Sequence, residues 1–179
     1  MNIYDNVEKR AALALSNLVP LFSLPLRKQD ALYYRTGESS LITGWKIRYT
    51  RAKKWLNRIY KAEITYTFEL LAETEEQFRL NWSPAKKAWT SDGGQGGRLA
   101  DLLNKQREIA DLLASVDMEK VELTQQGKFV TVFLVPIPGC FIWTLIPPIH
   151  YYVRLKPREA VSLKSIAEGL ESAILQFKT

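Results

Sequence analysis

Residues 129–153 read FVTVFLVPIPGCFIWTLIPPIHYYV, without an acidic, lysine or arginine side chain. A helix needs roughly 20 apolar residues to cross a bilayer, so this stretch is long enough to be tested first as a membrane span. Pro136, Pro138, Pro147 and Pro148 interrupt it. A proline inside a helix removes a backbone donor and clashes with the preceding turn, at about 3 kcal/mol or more. The pieces between the prolines are short, rich in Val, Ile, Phe, Trp and Tyr, and bounded by Pro and Gly, as buried strands are. The stretch therefore predicts the centre of a sheet, turned at Pro147-Pro148, and a chain with no transmembrane segment.

Working outward, strands are predicted over Glu119–Thr124, Lys128–Val135, Phe141–Ile146 and Ile149–Leu155. Ala62, Ile64, Tyr66, Phe68 and Leu70 alternate with polar residues, and so do Phe78, Leu80 and Trp82, which is the pattern of antiparallel sheet with one wet face. A further hairpin is read from residues 31–36 and 41–49. Helical spacing marks 4–18, about 98–115, and a C-terminal helix beginning at Pro157 or after Ser162. Gly169 within that last helix suggests a close approach to the sheet or simply a tolerated glycine. The segment 83–97, with one Pro and four Gly, reads as a loop. The expected fold is α+β: a mostly antiparallel β-sheet covered, chiefly on one face, by about three helices, N-terminal, central and C-terminal. Residues 1–179 form a single domain in this reading. The element order also allows two similar α-β4 halves, 1–82 and 98–179, joined by the Gly-rich loop 83–97.

With 46% apolar residues there is ample material for a core. The single Cys140 excludes an intramolecular disulfide, and together with the single His150 it excludes a zinc site of four Cys/His ligands. No cofactor or metal is expected. The N-terminus, MNIYDNVEKR, lacks a basic segment followed by an apolar one, so a cytoplasmic protein is expected. Catalysis finds little footing. There is no G-x-S-x-G, P-loop or H-E-x-x-H motif. If Pro147-Pro148 turns a hairpin, His150 falls opposite Leu145 and Cys140 opposite Leu155, too far apart along the sheet for a nucleophile-base pair. Gly93-Gly94-Gln95 resembles the catalytic tripeptide of peptide-chain release factors over those three residues, and its flanks read as a flexible loop.

The charge is concentrated. Residues 46–61 (KIRYTRAKKWLNRIYK) hold seven cations and no acid, against a whole-chain net charge of +6. From Thr50 onward Ala52, Trp55, Leu56, Ile59 and Tyr60 recur at helical spacing, with Arg51, Lys54, Arg58 and Lys61 opposite, which predicts a short basic amphipathic helix or a strand connection containing one helical turn. Cations interleaved with aromatics suit phosphates, an acidic protein groove or an anionic membrane surface. The expectation is a non-enzymatic binding protein that engages an anionic partner, nucleic acid or an acidic protein surface, through Lys46, Arg48, Arg51, Lys54, Trp55, Arg58 and Lys61. The alternative is a carrier or sensor of an apolar small molecule or lipid, held in a cavity between the sheet and the C-terminal helix.

Overall fold

The computed structural model describes residues 3–37, 42–54, 56–71, 77–91 and 93–178; Trp55 lies outside them, as do the side chains of Lys53 and Lys54. The N-terminal helix α1 (Ile3–Leu18) leads through a 3-10 turn (Val19–Phe22) into six strands: β1 (Leu26–Asp30), β2 (Tyr33–Thr36), β3 (Gly44–Lys54), β4 (Asn57–Glu69), β5 (Phe78–Ser83) and β6 (Ala88–Ser91). Two helices follow, α2 (Gly94–Leu103) and α3 (Arg107–Ala114). The chain then forms β7 (Met118–Gln126), β8 (Phe129–Pro136), β9 (Phe141–Thr144), β10 (His150–Tyr152) and the long C-terminal helix α4 (Pro157–Lys178). The ten strands make one antiparallel sheet in the order β1-β2-β3-β4-β8-β7-β5-β6, with β9 also paired to β4 and β10 to β9. This is the α+β, mostly antiparallel architecture expected from the strand patterns.

The proline-rich stretch explains the branching. β4 pairs with β3 from Lys54↔Asn57 to Gly44↔Thr67, all but its last two residues. On its other side Asn57–Tyr60 pair with β9 and Ile64–Glu69 with β8. Residues 136–140 form the break that lets two successive strands share one side of β4. Gly139 stands in that break at φ +97, a conformation that L side chains rarely adopt, and a Cβ there would come within 2.7 Å of Leu18 Cδ1. Its carbonyl accepts a 2.5 Å hydrogen bond from the buried Tyr49 hydroxyl, and its N–H donates to Val153 O. Burial pushes the Tyr49 hydroxyl far above the ordinary tyrosine value, so it remains a donor.

All four helices cover the same face. Val7, Ala11, Leu15 and Leu18 of α1, Leu99 and Leu103 of α2, and Ile109 and Leu113 of α3 are buried with the inward side chains of the sheet. The α4 stripe of Leu163, Ile166, Ala167, Leu170 and Ile174 joins them. Pro157 opens α4, and Glu159 reaches back to accept from the Lys156 N–H at 2.7 Å, so the earlier of the two expected starts is the one used. Gly169 makes its close approach to Ile109 of α3 rather than to the sheet.

Several expectations are corrected. Of the two expectations for the basic segment from Thr50, the strand connection is the one formed, β3 running into β4, and the short helix is not. Ala52 and Ile59 satisfy a helical spacing only because they stand opposite each other across a hairpin, and the continuous β3–β4 ladder outweighs one weak helical turn. The expected loop 83–97 contains β6 and the start of α2. Gly96 is buried there because a Cβ would meet Phe78 Cβ at 3.3 Å, so this glycine serves helix-sheet packing rather than flexibility. Gln95 likewise lies in the first turn of α2. The central helix is two helices, broken at Asn104, whose side chain accepts from the Trp89 N–H (2.7 Å) and donates to Trp89 O (3.1 Å), standing in for a neighbouring strand at the β6 edge. The β9–β10 register is shifted by two from that expected, placing His150 opposite Trp143, because Thr144 closes a wider loop by pairing with Ile149.

Gly139→Ala is expected to destabilise the fold by about 1–3 kcal/mol through strain and the clash with Leu18. Gly97→Ala, inside α2 with no atom near the added Cβ, should stabilise by about 0.5–1 kcal/mol. Chemical denaturation of the two variants should therefore move the unfolding midpoint in opposite directions.

Candidate functional site

Alternation on the β3–β4 hairpin divides the basic segment between the two faces of the sheet. Trp45, Ile47 and Tyr49 point into the core, and Arg51 continues that register toward α1. Arg51 Nη1 lies 3.7 Å from Glu8 Oε2, and the Arg58 guanidinium sits 3.7 Å above the Tyr4 ring, so both cations of this face help to dock α1. Lys46, Arg48 and Lys61 point to the face without helices. There Arg48 Nε pairs with Glu63 at 2.8 Å, and Lys61 pairs with Glu119. Lys54 stands at the hairpin end opposite Asn57. Of the predicted residues whose side chains are described, Arg51 and Arg58 thus lie on one face of the hairpin and Lys46, Arg48 and Lys61 on the other; Trp55 lies outside the described residues.

The open face supplies partners that the sequence did not single out. Arg27 stands directly opposite Arg35, and Arg35 directly opposite Lys46. Like charges directly opposite across strands repel, so this row concentrates positive charge on the open face. Tyr33, opposite Arg48, lies in the next row. A surface depression of about 490 Å³ opens beside them, with Leu32, Tyr33, Lys46, Arg48 and Thr65 among its lining residues. The row continues through Thr65 and the half-buried Phe133 to Glu122. β1 was missed because Leu26–Asp30 has one apolar residue followed by four polar ones and carries no alternation to read.

Other candidates gain no catalytic geometry. Cys140 is buried, its Sγ 3.6 Å from Pro136 O, and burial pushes the thiol up. His150 is exposed and stands opposite Trp143, whereas Cys140 O accepts from the Val153 N–H, so the two remain separated along the strands. Among the described residues no cluster of three or more His, Cys, Asp or Glu side chains is arranged to hold a metal ion. No helix is long and apolar enough to cross a membrane among the described residues.

The far half of the open face is charged but internally balanced. Glu122 accepts from Arg79 Nε at 2.9 Å and lies 3.2 Å from Lys120 Nζ. Burial by itself would raise this carboxyl, but the Arg79 and Lys120 hydrogen bonds and charges hold it below its ordinary value of 4.5. A depressed folded-state value makes the contribution complete above the unfolded value and progressively lost as pH falls through the folded one. Glu122→Gln should therefore show a smaller loss of stability than the wild type between pH 7 and pH 3, measured by denaturant unfolding at each pH. Equal losses would remove this carboxylate from the acid sensitivity of the fold.

No curated protein and no solved structure matches the chain. A family model described as "Protein of unknown function (DUF3156)" matches residues 16–174, from the last turn of α1 to near the end of α4, and so spans every strand of the sheet. On that coverage the chain belongs to the DUF3156 family.

Proposed function

We propose that this protein is a non-enzymatic binding protein that engages an anionic partner on the β1–β3 end of its open sheet face. The observation that carries the proposal is the cross-strand row Arg27–Arg35–Lys46 on a face that none of the described helices covers. Lys46 and Arg48 remain from the set expected in sequence. Arg27, Arg35 and Tyr33 are added to them, while Arg51 and Arg58 act on α1 instead. Cations recruit phosphates or carboxylates through counterion release and Coulomb attraction. Tyr33 on the same face offers a ring on which the bases of a single strand could stack, which favours nucleic acid over an acidic protein surface. The free, buried Cys140 accords with a reducing, cytoplasmic setting.

The alternative of an apolar carrier draws less support. The α4 side chains that face the sheet are fully buried against it, and the depression at the cationic row lies on the opposite face, lined by Asp30, Lys46, Arg48 and Thr65 as well as by Leu32, Tyr33 and Tyr49.

Charge reversal tests the proposal. Wild-type protein should bind a single-stranded oligonucleotide with an affinity that falls steeply as salt rises. Arg27→Glu combined with Lys46→Glu should weaken that binding by at least about ten-fold without changing the unfolding midpoint by more than about 0.5 kcal/mol. Tyr33→Ala should weaken oligonucleotide binding but not binding to polyglutamate if bases stack on this face. Salt-insensitive binding, or none to either polyanion, would overturn the proposal.

A further inference from the structure

The lining of the cationic depression includes a carboxylate, Asp30. Asp30, at the end of β1, stands directly opposite Tyr33, and Tyr33 stands opposite Arg48, so the three form a line across the strands. All three border the depression together with Lys46 and Thr65. Lys46 lies in the adjacent row, two residues or ~7 Å along β3 from Arg48. Glu63 accepts from Arg48 Nε at 2.8 Å and from the Thr50 hydroxyl at 2.7 Å, which anchors the guanidinium on the strand facing Tyr33.

Within the chain, Asp30 shapes the reversal between β1 and β2: its Oδ1 accepts from the Leu32 N–H at 2.7 Å, an Asx turn. That bond does not exhaust a carboxylate, whose two oxygens offer about four lone-pair sites. The turn needs only an acceptor, which Asn or Ser supplies without a charge. Beside Lys46 and Arg48 a carboxylate repels the same phosphates that those cations attract, and so weakens the hold on a bare polyanion. It favours a ligand that carries a hydrogen-bond donor next to its negative charge. A nucleotide with an amino group on its base is such a ligand, and carboxylates read base amino groups in this way, as when one accepts from cytosine N4.

We propose that the depression is a base-reading subsite in which Asp30 selects nucleotides whose bases carry an exocyclic amino group over those of uracil and thymine. The proposal rests on the nucleic-acid reading of this face and adds a sequence preference to it. Lys46 holds the phosphate, the base lies along the Asp30–Tyr33–Arg48 line with its ring against Tyr33 and Leu32, and its amino group donates to Asp30. A volume of about 490 Å³ accommodates one nucleotide. Phosphate contacts position a strand and base contacts specify it, so the cations and the carboxylate have separate tasks. Uracil and thymine set carbonyl oxygens on both sides of their ring N–H and therefore turn acceptors toward a group that only accepts. A polar edge left unmatched against a charge is penalised more than a missing apolar contact.

The test compares binding of the full chain to oligo-dC and oligo-dU of equal length, two pyrimidine strands of equal charge. Wild-type protein should bind oligo-dC at least about five-fold more tightly. Asp30→Asn keeps the acceptor for the Leu32 N–H, and with it the unfolding midpoint, but removes the charge and puts an NH2 donor in place of the second acceptor. This variant should bind oligo-dU more tightly than the wild type does, and its preference for oligo-dC should fall below about two-fold. Asp30→Ser, whose hydroxyl also serves as a turn acceptor, should lose the preference in the same way. Salt-sensitive but equal binding of the two oligomers by the wild type, or a preference that survives both substitutions, would overturn the subsite and leave the cationic reading of the face in place. Salt-insensitive binding, or none to either oligomer, would overturn that reading and the subsite with it.

Discussion

The architecture depends on how the two sides of β4 are filled. β3 occupies one side along nearly its whole length, but β9 and β8 divide the other between them. A chain can place two consecutive strands on one side of a third only if it leaves the ladder and returns. The Pro136–Cys140 segment does this, with prolines that have no ladder donor to lose and with Gly139 in a backbone conformation that other residues resist. The Tyr49 hydroxyl and Val153 carbonyl then satisfy the polar groups that the break exposes. Burial of α1 is tied to the same point, because Leu18 closes over Gly139.

Covering one face of the sheet with all four helices leaves the other to side chains alone. Its central and far portions are stabilised locally: Thr67 and Thr131 hydroxyls lie 3.1 Å apart, Glu122 is held by Arg79 and Lys120, and Lys128 lies 2.5 Å from Glu69. Such exposed pairs each contribute about 1 kcal/mol at most, but they make the net charge of that region small. At the β1–β3 end Arg27, Arg35 and Lys46 follow one another across three strands. The tips of the β3–β4 and β9–β10 hairpins differ again, exposing Leu56, Ile146 and Ile149.

The helical spacing around Trp55 is instructive. A hairpin tip brings residues from two strands into one stretch of sequence, and pairs such as Ala52 and Ile59 then share a side of the sheet at a separation that also fits two helical turns. Over so short a window the two periods are not distinguishable, and the decision belongs to the neighbours of the segment. Here β4 is interior to the sheet and its hydrogen bonds are committed on both sides, which a helix over residues 50–61 would forfeit.

By itself the sequence determined the strands and helices whose apolar side chains recur with a clear period: β4, β5, β7, β8, α1 and α4. It also determined that the proline-broken run 129–153 is sheet rather than a membrane helix, because proline acts on the backbone wherever it stands. Local sequence likewise revealed the concentration of charge at 46–61. Only the tertiary structure decided which of those charges act together. Strand alternation turned Arg51 and Arg58 toward α1, and pairing to β1 and β2 brought Arg27 and Arg35 beside Lys46. β1, polar and without alternation, is a strand because β2 offers it a ladder, and Gly96 of α2 packs closely on Phe78 and Ser91 at the sheet edge. Periodicity reports the burial of a segment's own side chains, whereas a charged surface is assembled from segments far apart in the chain, so its composition follows from strand order and register.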